Sequence, residues 1–272
     1  MTLNSTTKLS CAELAIYIVL LQPTLWLAYK HGKAAILAFL YLTAFQILRI
    51  VAAAIQISNR NKAQPSEAGA IVSSVGLSPL ILSYLGFVNL LWSYYGSSNR
   101  NKLQALISEV VVHAGAIAGI AVVAVGATKL FDKNATHSEI NTGHAMFKAG
   151  AIILVLTWII LGATSLQLFF TLKRQPMLSL LMVSAWAFIG VRAVYSVVYA
   201  FDESPSLSPF TGTFVVKLVL IVLVQLFATL SMFAVALLTR NAGTKSASGH
   251  GIRHQDMESR HSDVPLTTTH RK

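Results

Sequence analysis

Cysteine is almost missing from this chain of 272 residues: Cys11 stands alone, so no disulfide can form within it and the fold must hold without one. Acidic residues are scarce as well, with ten Asp and Glu against 21 Lys and Arg, and charged residues of both signs reach only 11%. A chain this poor in charge and 54% hydrophobic cannot present the polar shell of an ordinary soluble domain. The formal charge of +11 would suggest nucleic acid in a soluble protein. Here the basic residues sit in loops beside apolar spans, so membrane orientation explains them and no nucleic-acid partner is expected. The spans hold no Cys–His set and only scattered carboxylates, so neither a metal centre nor another cofactor is expected. The N-terminus also lacks the cationic region, short apolar core and small-residue cleavage site of a removed signal, and residues 11–29 read as a retained first span.

Long apolar runs are what the sequence does have. Seven of them cover about 11–29, 34–57, 69–96, 103–128, 145–172, 177–200 and 211–239, each long enough for the roughly 20 helical residues that cross a bilayer. In lipid every backbone polar group must be satisfied within the protein, so the spans should be helices. The expected fold class is therefore all-α: a polytopic membrane protein with a single bundle of seven transmembrane helices. A short extracytoplasmic segment, 1–10, precedes it and a disordered basic tail, 240–272, follows. Pro176 suits the first turn of the sixth helix, whereas Pro79, after Gly76, is expected to kink the third.

Loop charges orient the bundle. One side carries Lys30, Lys33, Arg100, Lys102, Lys173, Arg174 and the tail, twelve basic residues in all; the other carries five, Lys8, Arg60, Lys62, Lys129 and Lys133. The bias toward Lys and Arg near cytosolic span ends predicts an N-terminus outside and a C-terminus in the cytosol. Two glycosylation sequons, at Asn4 and Asn134, both fall on the outer side. Localisation is then the plasma membrane or another membrane of the secretory pathway. The four tail histidines, His250, His254, His261 and His270, read as solvated residues rather than metal ligands. Tail Ser and Thr residues could accept phosphate, and no cytosolic partner of the tail can be named.

Ionisable residues within spans are candidates for function because burying them is costly. In the second span Thr43, Gln46, Arg49, Ala53 and Gln56 recur at spacings of three or four and share one helix face. Arg192, Tyr195 and Tyr199 do the same in the sixth span, and Lys217 opens the seventh. Lys148 enters the fifth span from the same side, so four cations meet one clear carboxylate in the outer half, Glu13. Two readings stand. Either Glu13 pairs with Arg49 or Arg192 while the lysines reach back to the interface, or an outward-facing pocket keeps positive charge for an anionic group. In the second case Gln46, Arg49, Arg192, Tyr195, Tyr199 and Lys217 would bind an anionic or amphipathic small molecule. Glu109 and His113 stand four apart in the fourth span and could relay a proton or simply hydrogen-bond. Gly115 and Gly119 form a small-residue patch in that helix, suited to packing a neighbour.

The segment VRAVYSVVYAF, 191–201, before a short acidic loop, together with the span layout over 11–239, resembles fungal seven-span integral membrane proteins of unknown function. It is more distantly similar to the fungal lipid-translocating exporter (aminocholesterol-resistance) family. That family has an Arg-x-x-Tyr followed three residues later by Glu; Arg192 and Tyr195 match, and position 198 is Val. The resemblance implies export of a lipid or sterol-like compound. The residues themselves favour a sensor or binding protein for a small amphipathic or lipid-like ligand in an outward-facing basic cavity. The exporter stands as the alternative and a membrane-embedded enzyme ranks third, with no catalytic residue assigned.

Overall fold

The computed structural model describes residues 5–59, 76–96, 102–131, 136–172, 175–202 and 213–240. All regular structure among them is helical: α1 (Ser5–His31), α2 (Ile36–Ser58), α3 (Leu77–Tyr95), α4 (Lys102–Phe131), α5 (His137–Thr171), α6 (Pro176–Asp202) and α7 (Phe214–Thr239). Among the described residues seven helices are long and apolar enough to cross a membrane. Large apolar side chains such as Val19, Leu40, Leu180 and Val215 point outward on them. Water would penalise that surface and bilayer hydrocarbon would not. The chain reads as a multi-pass membrane protein.

α3 is the centre of the bundle and packs against α2, α4, α5, α6 and α7. It suits that place because its small residues admit close neighbours. A Cβ on Gly86 would lie 2.5 Å from the Ala38 backbone, so α2 and α3 touch main chain to main chain. Ser83 Oγ donates to the Ala38 carbonyl at 3.1 Å, and Ser78 Oγ to that of Ala116 at 3.0 Å. Pro79 does not interrupt the described part of this helix. It is the third residue of α3, in the turn whose N–H groups have no intrahelical acceptor, so its missing donor costs nothing. Residues 69–75 lie outside the described residues.

Two helices start earlier than their apolar runs. α1 begins at Ser5 rather than at residue 11, and Ser10 on its first turns donates to Gln56 Oε1 of α2 at 2.9 Å. α5 begins at His137 rather than 145 because a capping box starts it. Thr136 and Glu139 satisfy each other's backbone N–H, with Thr136 N to Glu139 Oε2 at 2.8 Å. The turn after α1 relies on Gly32, whose φ of 66° a side chain would strain.

α4 and α5 form an antiparallel hairpin packed through glycines. Gly126 and Gly143 face one another, and Cβ atoms on Gly119 or Gly150 would collide with the opposite helix. The patch at Gly115 and Gly119 thus packs inside the bundle, against Thr157 and Leu154. α5 and α6 are joined by a reciprocal tryptophan pair. Trp158 and Trp186 stack at 4.5 Å; each indole N–H donates to the other's carbonyl, at 3.0 and 3.3 Å. At the end away from the N-terminus, His31 donates through Nδ1 to the Leu27 carbonyl at 2.9 Å and meets Thr239 Oγ1 through Nε2 at 3.2 Å, tying α1 to α7.

α7 is irregular where the sequence reads as plain apolar helix. Lys217–Leu223 is π-helical, flanked by α-helical turns. π-turns are rare and cost regular hydrogen-bond geometry, and they occur frequently at functional sites.

Candidate functional site

The polar residues of the spans gather toward the end of the bundle that holds the N-terminus. Glu13 of α1 and Arg49 of α2 are both buried, and Glu13 Oε1 pairs with Arg49 Nη2. The pair follows from helix geometry: α1 and α2 run antiparallel along each other, so a residue near the start of one meets a residue near the end of the other. One turn deeper, Tyr17 packs edge-on to Phe45 at 5.7 Å and lies close to Arg49 and to Thr229 of α7. Gln46 turns its Nε2 to Thr24 Oγ1 at 3.0 Å, so it serves the α1–α2 contact.

Arg192 stands differently. It is 3% exposed, and its Nη1 donates to Ser196 Oγ at 2.6 Å, one turn along its own helix. The guanidinium lies 5.2 Å from the ring of Tyr195, a cation–π arrangement. Its Nε has no hydrogen-bond partner, and no carboxylate among the described residues pairs with it. Arg49 is near enough for the two cations to repel each other. Contacts between Ser184 and Ser231 and between Phe188 and Phe227 set the register of α6 against α7. One more turn along that register brings Arg192 level with Leu223, the end of the π-helical stretch.

Arg192, Tyr195, Ser196 and Tyr199 form one wall of a small pocket whose other wall is apolar, from Leu77, Val123, Phe147, Ala151 and Leu154. Its volume is about 20 Å³, room for roughly one water. Tyr199 meets Phe147 edge-on at 5.9 Å and closes one side. Arg192, Tyr195 and Tyr199 are thus brought together, whereas Gln46 and Arg49 are not among the lining residues. Lys217 sits half-buried at the start of the π-helical stretch. Lys148 extends over the Phe201 ring at 5.6 Å.

Other sequence candidates lie elsewhere. His113 Nδ1 contacts the backbone carbonyl of Glu109 at 2.9 Å, not its carboxylate, and its ring leans on Tyr41 at 5.8 Å. That is bonding within the helix, one turn apart. Asn4 and Asn134 fall outside the described residues, as does the tail from 241 onward. Among the described residues no cluster of three metal-ligating side chains occurs.

Sequence reasoning missed Gln225. It is fully buried, and neither Nε2 nor Oε1 finds a partner. Thr229, one turn deeper, bonds the Gln225 carbonyl at 2.8 Å and also approaches Tyr17. A glutamine within the apolar run 211–239 was the available signal. Together with Arg49 Nε, Gln46 Oε1 and Tyr17 Oη, these atoms make this end of the bundle unusually rich in buried groups with unused hydrogen-bonding capacity.

A family model described as Domain of unknown function (DUF7702) matches residues 3–242. The chain belongs to this family. The match spans all seven helices, so the DUF7702 domain is the bundle itself. No curated protein and no solved structure matches the chain. Membership carries no activity with it, and function has to be argued from the chemistry of the site.

Proposed function

We propose that this chain is a seven-helix membrane sensor or binding protein for a small amphipathic ligand whose anionic head meets Arg192. The observation that carries the reading is the contrast between two buried arginines. Arg49 is neutralised by Glu13, while Arg192 has a serine, a tyrosine ring and an unpartnered Nε. Burying an uncompensated guanidinium in a membrane helix costs at least about 2.5–3.5 kcal/mol, and an incoming carboxylate or phosphate would recover that cost. The pocket has room for only about one water, so the head group enters as Tyr199 turns aside. An apolar body would then lie along Leu77, Phe147 and Leu154. With the N-terminus outside, this pocket opens in the outer half of the membrane.

The direct test is binding of a radiolabelled long-chain lysophosphatidic acid and of a matched fatty acid to purified protein. Arg192→Gln should weaken binding about tenfold or more, the range for a hydrogen bond to a charged group, while membrane insertion is unchanged. Equal affinity in the wild type and Arg192→Gln sinks the proposal. A second reading, export of a lipid or sterol-like compound, draws on the π-helical stretch beside Arg192, since irregular helices line the substrate sites of many transporters. Movement of the same labelled lipids across reconstituted vesicles favours export; binding without movement favours the sensor.

A further inference from the structure

A second and larger opening lies further along α5 and α6 from the Arg192 pocket and differs from it in chemistry. It lies between α5 and α6, deepens to Tyr84 of α3, and encloses about 590 Å³. That volume is in the range of small-molecule sites. Among the described residues no charged side chain lines it. Its rim carries Ile159, Leu166, Phe169 and Val183, each 42–56% exposed, so in a bilayer its mouth would open sideways into hydrocarbon. One end is closed by the stacked pair Trp158 and Trp186.

Two polar features interrupt this apolar lining. The Tyr84 hydroxyl lies beside Ser165, whose own proton goes to the Leu161 carbonyl at 2.7 Å. Ser179 is 6% exposed, and its Oγ is buried without any hydrogen-bond partner. Most membrane-buried serines return their proton to a carbonyl three or four residues earlier, as Ser165 and Ser184 do here. Ser179 does not: it stands in the first turn of α6, where the Gln175 carbonyl four residues earlier takes its backbone N–H at 3.2 Å and its hydroxyl is left over.

We infer that this cavity is a lateral site for an uncharged membrane amphiphile, chiefly hydrocarbon, whose hydroxyl head bonds Ser179. The described lining residues offer an ionised head no counter-charge, so an uncharged head suits them better. The apolar walls and sideways mouth suit a hydrocarbon body arriving through the bilayer. The orphan hydroxyl supplies one donor and acceptor, matched by a ligand that has the same. It shares no lining residue with the pocket at Arg192 and takes an uncharged rather than an anionic ligand.

The four tryptophans are Trp26, Trp92, Trp158 and Trp186, so Trp26→Phe with Trp92→Phe leaves only the pair on the cavity wall to report. In nanodiscs of unbrominated phosphatidylcholine, a dibrominated stearyl alcohol should quench that pair with a saturable curve. The matching dibrominated stearate, measured well above neutral pH because a bilayer raises its carboxyl pKa, is ionised and should quench only in proportion to its mole fraction. Ser179→Ala should raise the half-saturating alcohol fraction about threefold to tenfold, the loss of one hydrogen bond. Because Ser179 Oγ makes no bond in the free protein, this variant should melt as the wild type does. Ala163→Phe, which fills the cavity from α5, should abolish the saturable component. Linear quenching by the alcohol, equal behaviour of alcohol and carboxylate, or an unchanged midpoint in Ser179→Ala would each overturn the inference.

Discussion

Glu13→Gln isolates the electrostatics of the bundle's polar end. The substitution keeps the side chain's size and removes its charge, leaving Arg49 buried with no counter-ion. Breaking a buried pair from one side costs about 3–5 kcal/mol, because the remaining charge stays desolvated. The upper half of that range is expected here, since Arg49 Nε has no partner and Arg192 repels the same guanidinium. Arg49→Gln should cost less, because a lone buried carboxylate can be neutralised by a proton and a guanidinium cannot. The double variant Glu13→Gln with Arg49→Gln strands neither charge and should recover about 2 kcal/mol or more relative to the sum of the singles. Unfolding followed by tryptophan fluorescence in one fixed detergent gives all four corners of the cycle. Additive singles and double, or a Glu13→Gln cost below about 1 kcal/mol, would refute the reasoning and make the pair no stronger than a surface one.

Gly190→Ala should destabilise by about 1–3 kcal/mol, as its Cβ would run into the Trp158 ring, and the near-ultraviolet circular dichroism of the Trp158–Trp186 stack should fall; adding Trp158→Phe should restore part of the loss. Thr239→Val removes the partner of His31 Nε2 and should cost about 1–3 kcal/mol in the same melts, with insertion unaffected. A protease-sensitive tag after Lys272 should survive protease added to intact cells, and cleavage would reverse the proposed orientation. Removing residues 245–272 should leave the melting temperature of the purified bundle unchanged, since that stretch has no apolar period with which to bury a core.

The number and approximate place of the helices were legible in the sequence because each apolar run must satisfy its own backbone in lipid, a requirement local to the run. Their ends were less so. The start at His137 depends on hydrogen bonds from polar residues outside the apolar window, although Thr136 and Glu139 show the spacing of a capping box. Pro79 was legible as a perturbation of α3, but whether it kinks a helix or begins one depends on where the chain enters the bundle.

For the site, sequence periodicity alone put Arg192, Tyr195 and Tyr199 on one face, because positions three and four apart on a helix must lie together. Composition alone showed cations outnumbering carboxylates in the spans. Which arginine Glu13 would join could not be read there: Arg49 and Arg192 are equal candidates until α1 and α2 pack side by side and bring Glu13 to Arg49. The π-helical stretch of α7, the unsatisfied Gln225 and the cavity between α5 and α6 likewise belong to tertiary structure. Each arises from how residues distant in sequence share space, and hydropathy carries no record of which helix faces which.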